Sequence, residues 1–306
     1  MDAFWSPNKR RATTVAQGAH FMKEDLSKFD AGFFGLPKHD VDAMDPQQRL
    51  MMEVAYEAVE RAGMSLQQLA GTRTGVYMGN TTTDYRDMIC RDLDNSPQYT
   101  FTGNCPASLA NRISWLWDLR GPSFPINTAC SSSMIALHLA CQSLRTGESD
   151  IAIVGASSAL LAPEMFIFLS NHGFLSPDGR CKTFDASANG YGRGEGFGCV
   201  ILKRADDAIA AGDPIRAVIR GTGSNQDGRT KGLTMPSSEA QKALIEEIYQ
   251  KAGLDFSETA YVESHVGFQA LIRSPGIHAD KSPGYRHEDW RPRGNGSLGV
   301  YDWCKA

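Results

Sequence analysis

The sequence predicts an α/β protein, a mostly parallel sheet with helices packed on its faces. Three observations carry this expectation. Apolar runs alternate with segments of helical period over most of the 306 residues. The 42% hydrophobic share is enough to build a real core. An extended apolar lead-in, Pro125 to Ala129, ends in Cys130 and passes at once into a helical segment.

The first forty residues are mixed and loop-rich. A well-marked helix follows. Asp45 is a good N-cap, Pro46 fits the first helical position, and Gln48 stands where a capping box places its return partner. Leu50, Met51, Val54, Ala58 and Val59 recur at helical spacing, and Gly63 closes the helix. Thr74 to Gly79 is expected as a buried strand, Ala107 to Trp115 as a short helix, Ser123 to Thr128 as a strand and Ser131 to Leu144 as a helix. Asp150 to Ala156 is a further buried strand. Residues 171–198 are Gly-rich and polar, with a turn at Ser176-Pro177-Asp178-Gly179. Gly190-Tyr191-Gly192-Arg193-Gly194-Glu195-Gly196 alternates Gly with larger residues, which suits unusual dihedrals or close approach to another element. It is no phosphate cradle, because it leads into a strand (Phe197 to Leu202) and no Lys-Ser/Thr follows. Then come a helix (Ala205 to Ala211), a strand (Ile215 to Gly221), a helix (Ser238 to Ala252) and a strand, Ala260 to His265. Residues 266–306 hold scattered Pro, Gly and charge with no sustained period, and are expected to add nothing to a sheet.

The formal net charge of -4 leaves no electrostatic footprint for nucleic acid or an anionic membrane. Seven Cys without a CxxC pair suggest neither a disulfide framework nor a zinc site, and fit a reducing, cytoplasmic setting. Lys9, Arg10 and Arg11 have no apolar stretch after them, so no signal peptide is expected. The most apolar run, Ala159 to Leu169, is broken by Pro163 and Glu164 and is too short to span a bilayer.

Cys130 carries the functional expectation. A thiol at a strand-to-helix corner faces unpaired backbone N–H groups. Their partial positive charge favours the thiolate and can also hold the oxyanion of an attacked thioester. An ordinary Cys, with a pKa of about 8.5, is only slightly ionised at neutral pH. A Cys in an apolar strand is commonly just a small buried hydrophobe. Ser131, Ser132 and Ser133 argue against that, since Ser favours caps and first turns. Cys90, Cys105, Cys141, Cys181 and Cys199 are expected to be structural, as are His20, His39, His138 and His172. His138 should lie two turns along the helix from the thiol.

Five blocks, in order, resemble one family. They are Phe29 to Gly35, Met44-Asp45-Pro46-Gln47-Gln48-Arg49-Leu50, Asn127 to Ser133, Leu175 to Cys181 and Gly190 to Gly196. The chain resembles the β-ketoacyl synthase domain of type I polyketide synthases, most like the iterative, highly reducing fungal enzymes. The match runs from about His20 to His265. The resemblance implies a thiolase-like layered αβαβα fold whose first half is largely present and whose second half is truncated. Residues 1–19 would be an irregular N-terminal segment, 20–265 the incomplete ketosynthase domain, and 266–306 a non-homologous, disordered tail. It implies Cys130 as the nucleophile that takes an acyl chain from a phosphopantetheine arm. It implies His265 as one of two histidines that serve decarboxylative condensation with a malonyl unit. An acyl-carrier protein domain is the implied partner and a homodimer the implied assembly, with no cofactor or metal bound by the chain itself and no nucleic-acid or membrane partner.

The chain departs from the pattern at three places. Asn127 stands where the family usually has Asp, keeping the hydrogen bonding and losing a charge. A strand-containing segment precedes the region matching Met1 in the family. After His265 the family continues Gly-Thr-Gly-Thr, where this chain reads Val266-Gly267-Phe268-Gln269. The second histidine, its supporting lysine and the Gly-Phe-Gly loop have no counterpart. A retained intron directly after the His265 codon would give such a tail, since every Val codon begins with GT. The expectation is then an enzyme portion of impaired condensation activity and poor solubility. A non-catalytic remnant that keeps the dimer-forming half is the alternative. A thiolase or chalcone-type synthase fits less well, because the Asp45 and Gly190 blocks belong to modular and iterative synthases.

Overall fold

The computed structural model describes residues 4–8, 12–182, 185–263, 265 and 299–301. In chain order the helices of the first part are α1 (Lys38–Ala43), α2 (Pro46–Arg61), α3 (Leu66–Leu69), α4 (Asp84–Ile89), α5 (Thr100–Asn104), α6 (Ser108–Leu116), α7 (Ser132–Thr146) and α8 (Glu164–Asn171). Among them run strands β1 (Thr74–Asn80), β2 (Ser123–Ile126) and β3 (Ile151–Ser158), and β4 (Gly196–Lys203) follows α8. The four strands form one sheet of order β2-β1-β3-β4. β2 and β3 both run parallel to β1, and β4 closes the far edge antiparallel to β3. The sheet is therefore mostly parallel, with helices between its parallel strands.

Strand alternation sorts the core into two layers. Val76, Met78 and Ile153 face Met51, Met52, Ala55 and Val59 of α2 and Ile113 of α6. Tyr77, Ala152 and Val154 face the opposite way, onto Ala136, Ala140 and Leu144 of α7. Met51, Met52, Val76 and Met78 are fully buried, each contributing about 1.5–3 kcal/mol by area removed from water. The result is an α2/α6 layer, the sheet, and an α7 layer.

Helix α2 begins as its sequence dictates. The Asp45 carboxylate accepts from Gln47 N at 2.8 Å, and Pro46 occupies the first turn. Gln48 does not close a capping box. The Asp45 N–H donates to Gly103 O at 2.9 Å, and Gln48 instead donates to Gly103 O at 2.8 Å and accepts from Arg112 Nε at 3.1 Å. A tertiary carbonyl has taken the donor that a local cap would have used. Gly63, at φ +74°, ends the helix as expected.

Helices α9 (Ala205–Ala211) and α10 (Ser238–Ala252) carry the expected bounds, and β5 (Tyr261–Glu263) is shorter than its expected strand. The expected strand Ile215–Gly221 is not one. It has no ladder partner among the described residues, and Ile215, Val218 and Ile219 are exposed. A β-branched run becomes a strand only where a partner supplies the ladder. Within the expected tail, the described residues do enter a sheet: β6 (Gly299–Tyr301) pairs parallel with β5. Three backbone pairings need no hydrophobic period, so the missing period did not exclude them. The rest of the expected tail lies outside the described residues. No helix among those described is long and apolar enough to cross a membrane.

Candidate active site

Residues 127–132 carry the chain from β2 into α7, and Cys130 sits at the bend, exposed. The bend depends on Ala129, a non-glycine residue at φ +53°. Such a conformation costs on the order of 1–3 kcal/mol and persists only where its surroundings over-determine it. Short bonds do so here. Asn127 Oδ1 accepts from Ala129 N at 3.1 Å. Ser132 Oγ accepts from Thr128 N at 2.9 Å and donates to Ala129 O at 2.6 Å. Ser131 Oγ donates to Thr128 O at 2.8 Å and lies 2.9 Å from Thr128 Oγ1. Ser131 holds the N-cap position of α7, yet its hydroxyl turns back onto the bend and makes no cap bond. Asn127 serves through its carbonyl oxygen, so the loss of a charge at this position leaves the turn intact.

The start of α7 lies directly on β1. A Cβ added to Gly79 would stand 2.7 Å from Ser132 C and Ser133 N. Glycine at this point lets the helix seat against the strand and fixes where the bend stands.

Cys130 opens onto a cleft of about 440 Å³. One wall is the loop that leaves the C-terminal end of β1, Thr81 to Asp84. Another is α8 with Met165, Phe168 and Leu169, and a third is Tyr191 with Arg193. The Asp84 carboxylate is buried and accepts from Leu161 N at 3.0 Å and Ala162 N at 3.1 Å, tying the first wall to the second. Arg193 stacks its guanidinium over the Phe166 ring at 4.6 Å. Burial pulls the Arg193 guanidinium below its ordinary value, and the Asp84 charge pushes it back up.

The glycine-rich loop behaves as its composition suggests. Gly190 has φ +134°, and a Cβ there would stand 2.5 Å from the backbone of Leu175 and Ser176. Ser176 N donates to Tyr191 O at 2.9 Å, and Glu195 pins the far end by accepting from Leu160 N and Met22 N.

His265 follows β5, half-buried, and is not among the residues that line the Cys130 cleft. His138 Nδ1 lies 2.9 Å from Thr222 Oγ1, in a separate cavity that includes Arg145 and Lys251, away from the thiol as expected. Burial, reinforced by Arg145, holds its pKa below the ordinary value. Cys199 is pushed up to about 12 by burial, and burial also raises Cys141. Neither lines the Cys130 cleft. Sequence reasoning did not find the Thr81 to Asp84 wall or the side chains of Tyr191 and Arg193. One signal for the first was available: residues just beyond the carboxyl end of a parallel strand commonly line sites in open α/β sheets.

Known proteins resemble this chain in sequence and in fold. A highly reducing polyketide synthase of Cryptosporiopsis sp. (strain 8999) is 73% identical over 271 residues, 88% of this chain and 11% of that protein's length. A partially reducing polyketide synthase of Menisporopsis theobromae is 55% identical over 263 residues, 86% of this chain and 10% of its own length. The chain thus spans about a tenth of the curated relatives it matches. Among solved structures, the ketosynthase from module 6 of the bacillaene synthase of Bacillus subtilis 168 superposes with a TM-score of 0.75 at 40% identity, covering 82% of this chain and 44% of that one. The oxazolomycin ketosynthase domain of Streptomyces albus JA3453 gives 0.81 at 34% identity, covering 89% and 48%. These neighbours carry the thiolase-like layered fold that the sequence motifs implied, with less than half of each matched here. The family described as beta-ketoacyl synthase, C-terminal domain, matches residues 216–267, and the one described as beta-ketoacyl synthase, N-terminal domain, matches residues 1–208. With both in order along it, the chain belongs to the beta-ketoacyl synthase family.

Proposed function

We propose that this chain is the ketosynthase portion of a fungal polyketide synthase and that Cys130 is its acyl acceptor. The single observation that carries this is the exposed thiol on a strained bend at the mouth of a cleft with an apolar wall. The donor is an acyl thioester on the phosphopantetheine arm of an acyl-carrier protein domain. The Cys130 sulfur attacks the thioester carbonyl and a tetrahedral oxyanion forms. Its collapse expels the pantetheine sulfur, which takes the proton that Cys130 gave up. In the second half-reaction a malonyl thioester loses carbon dioxide, and its enolate carbon attacks the acyl-Cys130 carbonyl and releases the sulfur. His265 is proposed to donate a hydrogen bond to the malonyl thioester oxygen and so stabilise the enolate. Residues 20–265 form the functional unit. The proposed assembly is a homodimer; among the described residues β2 is an edge strand of the four-stranded sheet, with Phe124 half exposed.

A second reading rests on one observation. His265 lies outside the cleft lining, which favours a chain that accepts an acyl group without condensing it. One experiment covers both. The 306-residue chain is incubated with an acyl-loaded carrier protein, then with malonyl-loaded carrier protein. Intact mass reads the adduct on Cys130, and product analysis reads condensation. An adduct lost in Cys130→Ala supports the acyl acceptor, and product formation supports the full reaction. Absence of any Cys130-dependent adduct refutes the proposal.

A further inference from the structure

We infer that Gln47, from the Asp45-Pro46-Gln47-Gln48-Arg49 block, is a positioning residue that fixes the Thr81 to Asp84 wall of the cleft and so sets how a long acyl donor reaches Cys130. The inference rests on the function proposed above. Gln47 touches neither the cleft nor the thiol, so nothing in the acyl-transfer chemistry accounts for it. It is 3% exposed, and its amide is fully used. Nε2 donates to Asp45 Oδ2 at 3.3 Å and to Thr82 O at 3.3 Å. Oε1 accepts from Asn80 Nδ2 at 2.7 Å and from Thr82 Oγ1 at 2.9 Å.

Two of these partners, the Asp45 carboxylate and the Thr82 carbonyl, can only accept, so the amide has one orientation that satisfies the set. Thr82 is thereby held through both its carbonyl and its hydroxyl by a side chain on the first turn of α2. Asn80 extends the link across the sheet, donating to Ser157 Oγ at 3.0 Å and Ser157 O at 3.3 Å. The wall is clamped from its other end by Asp84, through Leu161 N and Ala162 N. Loss of the Gln47 clamp frees the middle of the wall and leaves the Cys130 bend, which has its own local bonds, in place.

The test compares two alkylators on the full chain: iodoacetamide, and a chloroacetamide on a pantetheine-length arm. Labelling of Cys130 is read by peptide mass. Gln47→Leu is expected to lower the rate with the long reagent about tenfold, the scale of a displacement below about 1 Å in a positioned site. The iodoacetamide rate should stay within about twofold. Thr82→Val, which removes only the hydroxyl donor, should give a smaller loss in the same direction. Combined with Gln47→Leu it should add less than its separate effect, because both remove one shared interaction. Thr82→Val also carries the test should Gln47→Leu fail to fold. An unchanged ratio of the two rates overturns the inference, as does a parallel fall of both, which would make Gln47 structural only. Acyl transfer from an octanoyl thioester to the wild type is measured alongside. Its failure, with both alkylators active, refutes the proposed function and still lets the rate ratio judge Gln47.

Discussion

Replacing Gly79 by Ala tests how strictly the sheet fixes Cys130, the proposed nucleophile. The added Cβ would meet Ser132 C and Ser133 N at 2.7 Å and Ser133 Cα at 2.9 Å. Ordinary carbon contacts lie at about 3.5–4.0 Å, so the start of α7 must retreat from β1 by about 1 Å. All three neighbours are backbone atoms, and no rotamer change relieves the overlap. Overpacking of this kind costs about 1–3 kcal/mol, which for a domain of this size lowers Tm by roughly 2–4 °C per kcal/mol. The functional loss is larger. Ser132 anchors the bend through Thr128 N and Ala129 O, so Cys130 moves with it, and about 1 Å of misplacement costs about a hundredfold in rate. The control is Gly198→Ala on β4, where an added Cβ meets nothing within 4 Å. Thermal unfolding and the rate of Cys130 acylation, each read on both variants, decide the matter. Equal Tm and equal acylation rate for Gly79→Ala and Gly198→Ala would refute the reasoning, because the overlap would then have been absorbed without moving the bend.

Other perturbations follow from the same geometry. Ser132→Ala removes two hydrogen bonds that hold the αL residue Ala129; at about 1 kcal/mol each, denaturant unfolding should show a loss of about 2 kcal/mol, together with slower acylation. In the native chain iodoacetamide should label Cys130 and spare Cys199, whose buried thiol is pushed up to about 12, and Cys141, also raised by burial; peptide mapping before and after denaturation reads the difference. His138 has a pKa lowered by burial and Arg145, so the unfolded chain takes up its proton first as pH falls. Its contribution is present above the ordinary value of 6.5 and is lost as pH drops through the lower folded value. The Tm advantage of the wild type over His138→Gln should therefore shrink between about pH 8 and about pH 5, and a gap constant with pH would contradict this.

What the sequence disclosed and what it hid divide by the reach of the contacts involved. The Cys130 bend was legible because the bonds that hold it run from Asn127 to Ser132, within one short block. The start of α2 was legible for the same reason, since Asp45 caps Gln47 two residues on. Gln48 was misjudged although its position fits a capping box, because its true partner Gly103 lies 55 residues away. The run Ile215–Gly221 has the composition of a strand, yet a strand is a statement about a neighbour, and composition names none.

The cleft shows the division most sharply. The Cys130 bend is held by contacts four residues long or less. The polar wall of the cleft is held by Gln47 across 35 residues and by Asp84 across 77. Local chemistry therefore announces an exposed thiol at a strand-to-helix bend, and only the folded chain shows which residues wall the cleft beside it. The Asp45 block illustrates the consequence. Read along the chain it is a helix start and a family mark; in the fold its first glutamine, Gln47, bonds Thr82 and joins helix α2 to the cleft wall. On the function proposed above, a short motif far in sequence from Cys130 acts on the reaction without containing any reactive group, by fixing one wall of the cleft.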